Sequence, residues 1–117
     1  MNHKLPQTIS PKELNQWLNE DSLKPILIDV RELEELSIAA FSEEVLHLPL
    51  SEFVSWSQSF TKTLSLDKPI VAICHSGVRS LNFGIWLLEQ DGRYQVWNLQ
   101  GGIDSWSLEV DNSVPRY

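Results

Sequence analysis

The sequence predicts an open α/β fold, a parallel sheet covered on both faces by helices. Three observations carry that prediction. Short apolar runs alternate with amphipathic stretches along the chain, the rhythm of strand–helix repeats. The two clearest runs, "KPILIDV" and "KPIVAIC", are almost continuously apolar, as strands buried on both faces are. No repeat, linker or low-complexity tract divides the 117 residues, a length suited to one domain with one core spanning 1–117.

The elements follow in order. "SPKELNQWLNE" opens a helix, with Ser10 as N-cap, Pro11 at the first helical position and Glu13 closing a capping box. Leu14, Trp17 and Leu18 share one of its faces. Ile26 to Val30 form a buried strand interrupted only by Asp29, and "RELEEL" is a short helical turn. "VLHLPL" is a strand ended by Pro49. A helix begins in residues 51–60, with Ser51 as its cap. "KPIVAIC" is the next buried strand and "VRSLNFGIWLLEQ" a helix in which Leu81, Ile85 and Leu88 share a face with Gly84, which lets that helix approach its neighbour closely. Asp91-Gly92 ends it, "YQVWNL" is a strand, and paired glycines precede a last helix in "GGIDSWSLEV". The tail "DNSVPRY" has no periodicity and is expected to lie along the surface. Trp17, Trp86 and Trp106 fall on helices, where core packing is expected; Trp56 and Trp97 fit core or rim.

Composition narrows the function. With 16 Asp and Glu against 9 Lys and Arg, the net charge is -7, which argues against binding nucleic acid or an anionic membrane. The single cysteine excludes an internal disulfide, and His3, His47 and His75 are too scattered for a metal site. "MNHKLPQTIS" lacks the apolar segment of a signal peptide, and no run approaches the roughly 20 residues that span a bilayer. A cytoplasmic protein with a reduced thiol is expected.

The chemistry concentrates in "VAICHSGVRS". Free cysteine is among the most buried residue types, so packing is the default reading of Cys74. Its context favours a nucleophile. The strand stops at Cys74, a polar loop containing Gly77 follows, and a helix begins about five residues later. Ligands of open parallel sheets sit beyond the C-terminal ends of the strands. Gly77 lets the loop curl with its N–H groups inward, and the helix N-terminus adds positive potential. A thiol held there is expected to ionise more readily than a free one and to act as a nucleophile.

"CHSGVRS" resembles the active-site loop of rhodanese-like sulfurtransferases, a Cys-x-x-Gly-x-Arg pattern followed by Ser or Ala. "LIDVRELEEL" is similar to that family's Asp-Val-Arg-Glu segment, and "VWNLQGGIDSW" to its Asn-Leu-x-Gly-Gly-Ile-x-x-Trp segment. The three lie in family order and cover nearly the whole chain. The resemblance implies a five-stranded parallel sheet with helices on both faces and sulfane-sulfur transfer through a cysteine persulfide, without metal or organic cofactor. By the same resemblance Cys74 is the nucleophile and the amides from His75 through Ser76, Gly77, Val78 and Arg79 to Ser80 stabilise the terminal sulfur. Arg79 closes the loop by tying its carbonyls or a carboxylate, a task that suits its rigid fork of donors. The implied partners are a small sulfane donor or a protein persulfide, and a thiol acceptor.

Other roles stay open. Asp29 supports the loop or caps the turn before "RELEEL", and needs a loop amide or an arginine as partner. Arg31 belongs to that support or forms a solvated pair with Glu32. His75 meets an anionic donor or faces solvent. The chain departs from the family where a Gly-His-Ile-x-Gly-Ala stretch is expected, since "SIAAFSEEVLHLPL" places Ala40 at the histidine and Glu43 at a glycine. His75 stands where some thiosulfate-using members carry Arg or Lys, which together with the acidic charge favours a persulfide over thiosulfate. Two rivals remain. Phosphatases of this fold use Cys-x5-Arg, but only four residues separate Cys74 from Arg79, a tighter ring for one sulfur than for a phosphate. A binding module without turnover would not need Cys74, Gly77 and Arg79.

Overall fold

The computed structural model describes residues 4–20 and 23–117; His3 lies outside them. The elements are β1 Gln7–Ile9, α1 Pro11–Leu18, β2 Ile26–Asp29, α2 Leu33–Ile38, β3 Leu46–His47, α3 Phe53–Thr63, β4 Ile70–Ile73, α4 Val78–Gln90, β5 Val96–Leu99 and α5 Gly102–Glu109. Five strands form one sheet in the order β1-β5-β4-β2-β3, and every pairing is parallel.

Strand β4 lies at the centre, and its four residues are 0% exposed, which explains a run with no polar residue. Its side chains alternate between two apolar clusters. Val71 and Ile73 pack with Leu14, Leu18, Ile103 and Trp106 of α1 and α5. Ile70, Ala72 and Cys74 pack with Phe60, Phe83 and Leu87 of α3 and α4. The two-residue period of the strand therefore assigns Cys74 to the α3/α4 face.

The start of α1 is as predicted. Ser10 Oγ accepts from Glu13 N at 3.1 Å, and the Glu13 carboxylate accepts from Ser10 N at 3.0 Å. Losing such a cap costs about 1 kcal/mol. Leu14 and Leu18 are buried, and Trp17 packs edge-on against Trp97 at 5.3 Å. Trp106 is buried, while Trp56 and Trp86 are half-buried and pack against each other at 5.8 Å.

Three details differ from expectation. Three-residue β1 escaped the pattern reading because it is too short for a period. Ser51 is not the cap of α3: a 3-10 turn, Leu50–Glu52, leads into the helix, and the Ser51 hydroxyl bonds the Glu32 carboxylate. The buried face of α4 is Ser80, Phe83, Gly84 and Leu87, whereas Leu81 is exposed. A Cβ on Gly84 would lie 2.5 Å from Pro6 Cγ, so the close neighbour this glycine admits is the segment before β1. The tail runs along the surface as expected and is anchored there: Val114 is buried, Ser107 Oγ donates to its carbonyl at 2.6 Å, and Arg116 pairs with Asp104 at 2.8 Å.

Candidate active site

Cys74 stands one residue beyond β4, at the C-terminal rim of the sheet. Gly77, with φ +104°, turns the chain into α4, a conformation that favours glycine. The turn brings Gly77 N within 3.1 Å of Cys74 Sγ as a donor. Ser80 Oγ lies 3.2 Å from the same sulfur and 2.5 Å from Asn98 Oδ1, and Asn98 Nδ2 donates to the Gly77 carbonyl at 3.0 Å. Asn98, on β5, thus fixes both the turn and the serine beside the sulfur. Val78, Arg79 and Ser80 form the first turn of α4, whose amides an α-helix leaves without intrahelical acceptors. Of the six loop residues after Cys74, Ser76 and Val78 are exposed, His75, Gly77 and Arg79 are half-buried, and Ser80 is buried.

Both readings of the cysteine find support in its surroundings. Cys74 is 1% exposed and continues an apolar cluster, as a packing residue would. Its sulfur nevertheless accepts a backbone N–H, which a purely packed thiol does not need.

The loop is held from behind by α5. Ile103 N donates to the Cys74 carbonyl at 2.9 Å and Asp104 N to the His75 carbonyl at 3.1 Å. The approach leaves no space for a side chain: a Cβ on Gly102 would lie 2.4 Å from His75 O and 2.5 Å from Cys74 O. Of the paired glycines in the sequence, Gly102 is required by this contact, whereas Gly101 takes φ +73° as the cap of α5.

Asp29 and Arg31 lie beside the loop as a pair, both 0% exposed. Asp29 is level with Ile73, one residue before Cys74. Its carboxylate accepts from Arg31 N at 3.0 Å, from Nε at 3.0 and 3.1 Å, and from Nη2 at 2.8 Å. Burial pulls the Arg31 pKa down, but Asp29 and the Tyr117 hydroxyl outweigh it and leave it raised. Of the two readings of Arg31, the solvated pair with Glu32 is the one that fails; a carboxylate buried this deeply requires the guanidinium.

Arg79 does not tie loop carbonyls. It grips the Glu35 carboxylate with two contacts of 2.7 and 2.8 Å. The Arg79 hydrogen bond holds Glu35 down at about 2, against the upward push of burial, and Glu35 in turn raises Arg79. The loop cation is therefore neutralised locally. His75 neither points freely into solvent nor stands alone: its ring stacks on Tyr117 at 4.0 Å and 10°.

Three residues at this site were not singled out from the sequence, namely Glu35, Asn98 and Tyr117. Glu35 has a detectable signal, since Glu32-x-x-Glu35 is a capping pattern and Glu35 Oε2 accepts from Glu32 N at 2.8 Å. Asn98 lay inside a quoted motif without a role. Nothing local marks Tyr117. Among the described residues no group of three or more His, Cys, Asp and Glu is arranged for a metal, and no helix is long and apolar enough to cross a membrane.

A parallel α/β sheet with a cysteine loop at its rim is shared by proteins of known family. The model of the rhodanese-like domain matches residues 10–109, and the chain belongs to that family. It is 40% identical over 91 residues to a rhodanese-like/PpiC domain-containing protein 12 of Arabidopsis thaliana, covering 78% of this chain and 30% of that protein. It is 36% identical over 102 residues to the putative sulfurtransferase YtwF of Bacillus subtilis, covering 87% of this chain and 91% of that one. The solved structure of a rhodanese-related protein from Thermoplasma volcanium superposes with a TM-score of 0.68 at 27% identity, covering 89% of this chain and 93% of that one. The chain spans 25 to 30% of the length of the first curated relatives it matches.

Proposed function

We propose that this chain is a sulfurtransferase that carries sulfane sulfur as a persulfide on Cys74. The observation that carries the reading is the Gly77 N–H directed at Cys74 Sγ from 3.1 Å, at the sheet's rim and the start of α4. The Cys74 thiolate attacks the outer sulfur of a donor, forming a new S–S bond. The donor's own S–S bond breaks, and its electron pair leaves with a thiolate, or with sulfite when the donor is thiosulfate. The terminal sulfur is then an anion, and the amides from His75 to Ser80 stabilise it as preorganised donors. A thiolate acceptor attacks that sulfur, takes it, and returns Cys74 as thiolate.

Three companion readings accompany this one. Asp29 and Arg31 support the loop, and Arg79 shapes its mouth. Because Glu35 neutralises Arg79, and the chain carries a net charge of -7, a persulfide on a small thiol or a protein suits the site better than the thiosulfate dianion. The chain works as one domain in the cytoplasm, with neither metal nor organic cofactor.

The 1% exposure of Cys74 favours a second reading, an interaction module without turnover. One experiment separates the two. Incubated with thiosulfate, glutathione persulfide or a charged cysteine desulfurase, the wild type is expected to gain about 32 Da by intact mass, one sulfur. Cys74→Ser is expected to gain nothing. A wild type unmodified by all three donors would establish the module instead.

A further inference from the structure

We propose that Tyr117 is a specificity-determining residue of the Cys74 site, an aromatic wall that positions His75 and limits how bulky a molecule reaches the sulfur. The identity of that molecule as a sulfur donor rests on the sulfurtransferase reading; the wall itself does not.

The tail that carries Tyr117 has no periodicity to direct it, so its path is set by anchors. Ser107 holds the Val114 carbonyl at 2.6 Å, and Arg116 grips Asp104 at 2.8 and 3.2 Å. Asp104 also donates its backbone N–H to the His75 carbonyl, so the last anchor of the tail and the catalytic loop share one residue. Beyond that anchor the Tyr117 ring lies parallel to the His75 ring, 4.0 Å away. Its hydroxyl accepts from Arg31 Nη1 at 3.0 Å and donates to Glu35 Oε1 at 2.9 Å. One side chain therefore joins the residue after the nucleophile, the turn that follows β2 and the carboxylate that grips Arg79.

Three features make this a wall rather than a core contact. Tyr117 is 38% exposed, so more than a third of it faces solvent at the rim. The Glu35 carboxylate accepts both the Arg79 guanidinium and the Tyr117 hydroxyl, which places the ring beside the start of α4 and the His75 that follows the nucleophile. Burial pushes the Tyr117 hydroxyl pKa upward, Arg31 opposes that and Glu35 adds to it, so the group stays protonated and the wall carries no charge. An uncharged wall selects by shape. The class it fits is a terminal sulfur on a slim, flexible thiol arm, such as a cysteine or glutathione persulfide, in preference to a bulky aryl persulfide.

The test uses the full chain as wild type, Tyr117→Phe, Tyr117→Leu and Tyr117→Ala. Rates of Cys74 modification by iodoacetamide and by fluorescein maleimide are followed by intact mass, and the His75 ring protons by NMR. Fixing a side chain at a site changes affinities and rates by up to about tenfold. Tyr117→Ala and Tyr117→Leu are expected to raise the bulky-to-small rate ratio by about that factor and to move the His75 ring protons downfield as the stacked ring is lost. Tyr117→Phe keeps the stack and is expected to leave the His75 shifts near wild type. An unchanged ratio in a folded Tyr117→Ala or Tyr117→Leu protein, or His75 shifts indifferent to removal of the ring, overturns the proposal. Neither readout involves sulfur transfer, so a protein that accepts no sulfur yet shows both changes sinks the function and keeps the wall.

Discussion

Asp29–Arg31 and Glu35–Arg79 are both forked arginine–carboxylate pairs beside the Cys74 loop, with contacts of 2.8 Å and 2.7 Å. They differ in solvent and in separation along the chain. The first pair has side chains 0% and 0% exposed and is built from residues two apart. The second has Arg79 37% and Glu35 18% exposed and joins residues 44 apart. A buried charge left without its partner is costly, so the first pair acts as a unit. At the surface water and salt replace most of what a partner supplies, so the second pair contributes little to folding. What it fixes is the position of α2 against the start of α4. Similar geometry thus serves stability in one place and the shape of a mouth in the other.

The largest effect is expected from breaking the buried pair. Arg31→Met leaves the Asp29 carboxylate uncompensated and is expected to cost about 3–5 kcal/mol in urea unfolding. Adding Asp29→Leu to that variant is expected to recover a good part of the loss, because replacing a whole buried pair by apolar residues is often near neutral. A cost for Arg31→Met near that of an exposed pair would erase the distinction between the two.

Glu35→Gln is the matching change at the rim. After allowance for solvent screening its stability cost is expected to stay below about 1 kcal/mol. Persulfide turnover is expected to fall by about tenfold, since small misplacement at a reacting centre is costly. Loss of stability without loss of turnover would reverse the roles assigned to the two pairs.

The smallest effect is the most specific. Glu35 is held at about 2 in the folded protein, below its ordinary 4.5. A depressed carboxylate stabilises the fold above its unfolded value, and that contribution disappears as pH falls through the folded value. The stability difference between wild type and Glu35→Gln is therefore expected to be constant above about pH 5 and to vanish toward pH 2 in urea titrations. Asp91, also lowered to about 2 by Arg93, is common to both proteins and cancels from the difference.

Much of this was legible in the sequence, and the reasons are local. Ser10 with Glu13 and the apolar runs that became β2 and β4 are signals contained within a few residues. So is the Cys74 loop, where strand end, glycine and helix start are contiguous. The misreadings have physical causes too. Helix α4 exposes Leu81 and buries Phe83, because the approach of the sheet and Pro6 chooses its inner face rather than hydrophobicity alone. Ser51 looked like a cap, yet its hydroxyl goes to Glu32, 19 residues earlier. The Tyr117 hydroxyl reaches Glu35 and Arg31 across 82 and 86 residues, and no periodicity encodes a contact of that span.

The grip of α5 on the loop has a consequence for which positions are free to vary. A trans peptide is planar, with its carbonyl and the next N–H pointing in opposite directions. Holding the Cys74 and His75 carbonyls toward α5 therefore turns the His75 and Ser76 N–H groups away from that helix, whatever side chains those residues carry. Donors supplied this way belong to the main chain and survive drift at positions 75 and 76. Gly102, whose missing side chain permits the grip, has no such latitude, so a methyl group there is the smallest change that reorients the loop without altering any residue in it.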